Sequence, residues 1–116
     1  MGLRLKIRYN SNVNTKVTYY VLGKEFNNID RIVKKLDSSL FHFLGVFPNI
    51  QSLSNVLTNE RTKPNLVFVG FNEIDGDSLK IINGVSRRNG FIIIFYYTDE
   101  ADFPRGVNFE YHLIKI

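Results

Sequence analysis

Four short apolar runs, VTYYVL at 17–22, LFHFLGVF at 40–47, NLVFVGF at 65–71 and FIIIFYY at 91–97, alternate with segments whose apolar residues recur at helical spacing. That alternation constrains the fold more than any other feature. In the first spacer, Phe26, Ile29, Ile32, Val33 and Leu36 form one stripe of an amphipathic helix, with Lys34 and Lys35 on its polar side. In the second, Pro48 ends the strand and Asn49 is placed to cap a helix carrying Ile50, Leu53, Val56 and Leu57. In the third, an Asp75-Gly76-Asp77 turn leads into a helix over 78–88 marked by Leu79, Ile82 and Val85. The run 91–97 has no polar position before its tyrosines, as suits a strand covered on both faces. Strands that alternate with helices pair in parallel through right-handed crossovers. The expectation is a doubly wound α/β fold with a parallel five-stranded sheet, the last strand being YHLIKI at 111–116. Pro104 and Gly106 interrupt the segment before it, so only a short fourth helix around 99–103 is expected.

A chain of 116 residues holds one core, and we read residues 17–116 as a single domain preceded by an arm at 1–16. Within the arm, Leu3, Leu5, Ile7 and Tyr9 alternate with Arg4, Lys6 and Arg8, which fits an extra edge strand or a loose arm, the arm being favoured. No apolar run reaches the roughly 20 residues of a membrane helix, so no membrane association is expected. The chain has no cysteine, which excludes disulfides, thiolate metal sites and cysteine nucleophiles and fits a cytoplasmic location. Its net charge is +4, yet Lys and Arg never run longer than two, so direct nucleic-acid binding by this segment is not expected.

Ligands of parallel α/β sheets bind at the carboxyl ends of the strands. The strand 65–71 reaches that end with Gly70, which has no side chain to offer. His42 and His112 sit in strand-like segments with no third ligand at matching spacing, so they read as packing or surface histidines. The loop GKEFNN after the first strand lacks the second glycine and the Lys-Ser/Thr ending of a phosphate loop. No cofactor and no metal site is expected.

Four segments in order, YVLGKE at 20–25, KPNLVFVG at 63–70, IDGDSLK at 74–80 and HLIKI at 112–116, resemble the receiver domain of two-component response regulators. The closest flavour is the CheY-like receiver that precedes LytTR-type DNA-binding domains. The resemblance covers residues 17–116 and implies a flavodoxin-like sheet. It also implies a site where an Asp closing the third strand takes a phosphoryl group beside Mg²⁺ held by an acidic pair after the first strand. A Thr or Ser closing the fourth strand and a Lys closing the fifth complete that site. Carried over, the acidic pair falls on Gly23 and Lys24, the phosphoacceptor on Gly70, the switch residue on Tyr97 or Thr98, and the lysine on Lys115. Glycine supplies no carboxylate, and an ammonium at the metal position repels Mg²⁺.

The resemblance therefore implies a pseudo-receiver, not an enzyme. It would act in transcription regulation as a phosphorylation-independent interaction module, within a longer regulator or as a dimer. With no fifth helix before Ile116, one face of the last strand is expected to meet a partner, and Phe103, Tyr111 and Leu113 are the candidate interaction residues. The alternative expectation is a small-molecule or anion sensor in which Lys24 and Lys115 face the ligand.

Overall fold

The computed structural model describes residues 15–59 and 63–116. The arm or extra edge strand expected at the amino terminus lies, for residues 1–14, outside the described residues. From Val17 onward, strand and helix alternate as β1 (Val17–Leu22), α1 (Phe26–Lys35), β2 (Phe41–Phe47), α2 (Ile50–Asn59), β3 (Leu66–Gly70), α3 (Gly76–Asn89) and β4 (Ile92–Tyr97). A single 3-10 turn, Glu100–Asp102, then leads to β5 (His112–Lys115). Among the described residues the four strand pairings are parallel and the sheet order is β2-β1-β3-β4-β5. This is the doubly wound, flavodoxin-like α/β arrangement. Among the described residues, no helix is long and apolar enough to cross a membrane.

Alternation along the strands builds two cores. Val17, Tyr19 and Val21 of β1 share one cluster with Leu66 and Phe68 of β3 and with Ile32 and Leu36 from α1 and its end. Tyr20, Leu22, Val67 and Val69 point the other way, into a cluster with Leu53 and Leu57 of α2 and Ile82 and Val85 of α3. Phe68 and Leu53 are fully buried. Each such side chain contributes about 1.5–3 kcal/mol by leaving water.

Local signals fix the helix ends. Asn49 accepts a hydrogen bond from Ser52 N at 2.9 Å, and Asp75 accepts one from Ser78 N at 2.7 Å. These are N-cap bonds that satisfy amides left unpaired in a first turn. The residue at the same place before α1, Glu25, makes no such bond with its own side chain. At the amino end of the sheet, Asn65 Oδ1 accepts from Thr18 N at 2.9 Å, and Asn65 N donates to Thr18 O at 3.0 Å. This exchange pins the β1–β3 register, which a slip of one residue would invert.

The expected fourth helix shrinks to the 3-10 turn, capped by Asp99 accepting from Ala101 N at 3.1 Å and stopped short of Pro104. The last strand is better covered than expected. Ile114 is buried in the α1-side cluster, and Leu113 is half-buried against the opposite one.

Candidate functional site at the carboxyl end of β1 and β3

The chain leaves β1 to build β2 on one side and returns to build β3 on the other. The point where the order reverses, between the carboxyl ends of β1 and β3, is where doubly wound sheets open a crevice. Leu22 is in register with Val69 and Gly70 with Tyr96, so Gly23, Gly70 and Tyr96 meet at this point. A cleft of about 360 Å³ lies there, lined by Lys24, Glu25, Asn28, Glu73, Tyr96 and Asp102 among others.

The centre of the cleft is taken by the carboxylate of Glu73, from the segment joining β3 to α3. Its Oε1 accepts hydrogen bonds from Lys24 N at 2.9 Å, Glu25 N at 2.8 Å and the Tyr96 hydroxyl at 2.8 Å. Its Oε2 accepts from Asn28 Nδ2 at 3.0 Å. Two successive backbone N–H groups at the start of a helix form a concavity suited to an anion. Here the anion comes from the chain itself, and Glu73 takes the amides just before α1, whereas Asp75 takes one within the first turn of α3.

The two glycines make room for this arrangement. A Cβ on Gly70 would stand 2.6 Å from the Tyr96 hydroxyl and 2.7 Å from Glu73 Cδ. A Cβ on Gly23 would stand 2.8 Å from Glu73 Oε1 and would collide with the Tyr96 hydroxyl. Both distances to Glu73 are shorter than real side chains tolerate, so no larger residue fits at either position while Glu73 and Tyr96 hold their places. Burial and the nearby Glu73 and Glu25 carboxylates push the Tyr96 hydroxyl well above the ordinary phenol range. It is a donor throughout the neutral range, which suits its bond to Glu73.

Of the positions singled out in the sequence, Gly23, Lys24 and Gly70 converge here, and Tyr97 and Thr98 line the same cleft. Lys115 pairs in register with Tyr97 but is exposed and does not line it. Phe103 packs edge-on against Tyr97, with ring centroids 5.2 Å apart, and is 40% exposed. Tyr111 instead packs against Phe95, and with Leu113 it belongs to the α2/α3-side cluster. Phe103 is thus separated from the other two candidate interaction residues. Among the described residues, no three His, Asp or Glu side chains gather as a metal site.

The two residues that organise the cleft, Glu73 and Tyr96, were not singled out in the sequence. Glu73 looked like one of several loop acids, and Tyr96 like the inner end of an apolar run. Two glycines at adjacent strand ends were the available signal that something large enters from elsewhere. A second, more open groove of about 600 Å³ lies at the opposite end of the sheet, where Ser86 and Arg87 of α3 face Phe109, Tyr111 and His112. Comparison of the chain with protein-family models, with curated proteins and with solved structures gives no match in any of the three.

Proposed function

We propose that the chain is a degenerate receiver-like domain of a cytoplasmic, response-regulator-like protein, acting as a phosphorylation-independent interaction and regulatory module. One observation carries the reading. At the carboxyl ends of β1 and β3, where aspartyl phosphate chemistry would need carboxylates, Gly23 and Gly70 are crowded by Tyr96 and Glu73. The glycine positions offer neither a carboxylate to accept a phosphoryl group nor room for one beside Glu73 and Tyr96. On this reading the domain works through its surface. Phe103 beside Tyr97, and Phe26, which is 80% exposed at the start of α1, lie near the cleft and suit a partner chain or an attached DNA-binding output domain.

The anion-sensing alternative draws less support. Lys115 does not line the cleft, whereas Glu25, Glu73 and Asp102 do, and together they outweigh Lys24. Incubation with acetyl phosphate and Mg²⁺ followed by intact-mass measurement tests the reading. No aspartyl adduct is expected, and a stoichiometric one would overturn it. Light scattering over a range of concentrations then tests whether the surface is used for self-association.

A further inference from the structure

The donors around Glu73 are arranged for an anion, and the chain supplies that anion from a residue 48 positions beyond Glu25. We propose that these donors form a carboxylate receptor occupied by the chain's own side chain, and that removing this internal ligand creates a binding site for a small free carboxylate. The inference rests on the reading of this sheet end as chemically silent, and it adds what holds it so. The donor set is mixed and converges from three parts of the chain. Lys24 N and Glu25 N come from the β1–α1 loop, Asn28 Nδ2 from the first turn of α1, and the Tyr96 hydroxyl from β4. Tyr96 is 2% exposed, and its only hydrogen-bond partner among the described residues is Glu73. With Glu73 cut back, a buried hydroxyl and two backbone amides lose an acceptor together, which favours whatever anion can replace it.

The ligand class follows from charge and shape. Glu25 and Asp102 line the same cleft, so a doubly charged phosphate meets repulsion that a singly charged carboxylate feels less. A planar carboxylate matches the group already seated there. In the intact chain the receptor is reserved, and an outside carboxylate enters only if Glu73 leaves. The β3–α3 segment is also held by Glu73 N to Gly70 O at 2.9 Å, by Asn72 Nδ2 to Asp102 O at 3.2 Å, by Phe71 packed edge-on against Phe95 and by the buried Ile74. The second of these runs to the 3-10 turn beside Phe103.

The test is titration of the full chain carrying Glu73→Ala with sodium formate, acetate, chloride and inorganic phosphate, read by the backbone amide signals of Lys24 and Glu25 and by the thermal midpoint. Formate and acetate should move both amide signals saturably and raise the midpoint of the variant. Chloride should do neither, and phosphate should bind at least about tenfold more weakly than formate. The wild-type chain should respond to none of them. If Glu73→Ala is too unstable to hold its fold, formate should restore the folded fraction, and a chain left unfolded at every formate concentration overturns the proposal. Equal formate shifts in wild type and variant also overturn it, as does phosphate binding more tightly than formate. A Tyr96→Phe/Glu73→Ala double variant should bind formate more weakly than Glu73→Ala alone; unchanged affinity removes Tyr96 from the receptor and overturns the donor set. These outcomes are independent of the acetyl phosphate experiment, so this proposal and the functional reading can fail separately.

Discussion

The two ends of the parallel sheet are built on opposite plans. At the carboxyl end, Glu25, the β3–α3 acids Glu73, Asp75 and Asp77, and the acids Asp99, Glu100 and Asp102 after β4 stand at or near helix starts. At the amino end stand the exposed cations Lys16, Lys34, Lys35, Lys63, Arg87 and Arg88, four of them in the last turns of α1 and α3. Parallel packing points every helix N-terminus one way, so charges of each sign gather where the helix dipoles favour them. The ends differ more in how they are filled. At the carboxyl end Glu73 receives four hydrogen bonds and the two glycines leave no room for a Cβ beside Glu73 and Tyr96, while a cleft remains open next to them. The amino end keeps an open groove lined by partly exposed side chains. Electrostatics alone would treat the ends as mirror images; packing gives one an interlocked carboxylate beside its cleft and the other a larger groove.

The largest way to break this contrast is Gly70→Asp. The added Cβ collides with Tyr96 and Glu73, and its carboxylate lies against another. The expected loss is about 3 kcal/mol of unfolding free energy in urea, with no gain of phosphorylation. A loss below about 0.5 kcal/mol would show that the carboxyl end is looser than its geometry implies. Next comes Glu73→Ala, which removes the shared acceptor and should cost about 2 kcal/mol in the same measurement. Tyr96→Phe should cost about 1 kcal/mol, because one donor and one bond go together. Since the Tyr96 hydroxyl is the atom nearest to a Cβ at position 23, Gly23→Ala should be less damaging in the Tyr96→Phe background than in the wild type. Strict additivity in that double-mutant cycle would mean the two positions do not touch.

A pH series sharpens the contrast without changing contacts. The Tyr96 hydroxyl is held above its ordinary value of 10.0 chiefly by burial, so its contribution to stability is complete below the unfolded value and is lost as pH rises above it. Alkaline unfolding should therefore be less steep in Tyr96→Phe. Asp75 is shifted the other way, below 3.8, by its hydrogen bonds from Ser78, first the backbone and then the side chain. Its contribution is present above the unfolded carboxylate value and fades as pH falls through the folded one, so Asp75→Asn should flatten the acid limb of the stability profile. The smallest effect is expected at the amino end. Arg87→Ala and Arg88→Ala remove solvated charges and should each stay within about 0.5 kcal/mol of wild type.

Strand and helix identity was legible because both periodicities are strong here. Tyr19 and Tyr20 point to opposite cores as a period of two demands, and Ile29, Ile32 and Leu36 share the face of α1 that meets the sheet. The cap at Asn49 was equally visible, because it acts within three residues of itself, whereas Asp75 was read as part of a turn before Ser78 and in fact caps a helix that starts at Gly76. The fourth helix was overestimated, since one Asp cap and one short polar run support a single turn and nothing after Phe103 extends it. The centre of the site was not legible for the opposite reason. Glu73 reaches across 49 residues to Lys24 N, and nothing local to FNEID distinguishes that acid from its solvated neighbours. Lys115 closes β5, and as the side chain of an edge strand it has solvent to point into and does not line the cleft, which leaves it a solvated edge charge.

Gly23, Gly70, Glu73 and Tyr96 also set the order in which this sheet end can change under mutation. Glu73 and Tyr96 in their present places are compatible only with glycine at positions 23 and 70, and the two are joined by a hydrogen bond. A side chain introduced at position 23 or 70 requires Tyr96 or Glu73 to shift or to be cut back, and cutting either back is expected to be destabilising. Substitutions among the four positions are therefore expected not to add. A library that randomises all four together should hold stable combinations that successive single substitutions would miss.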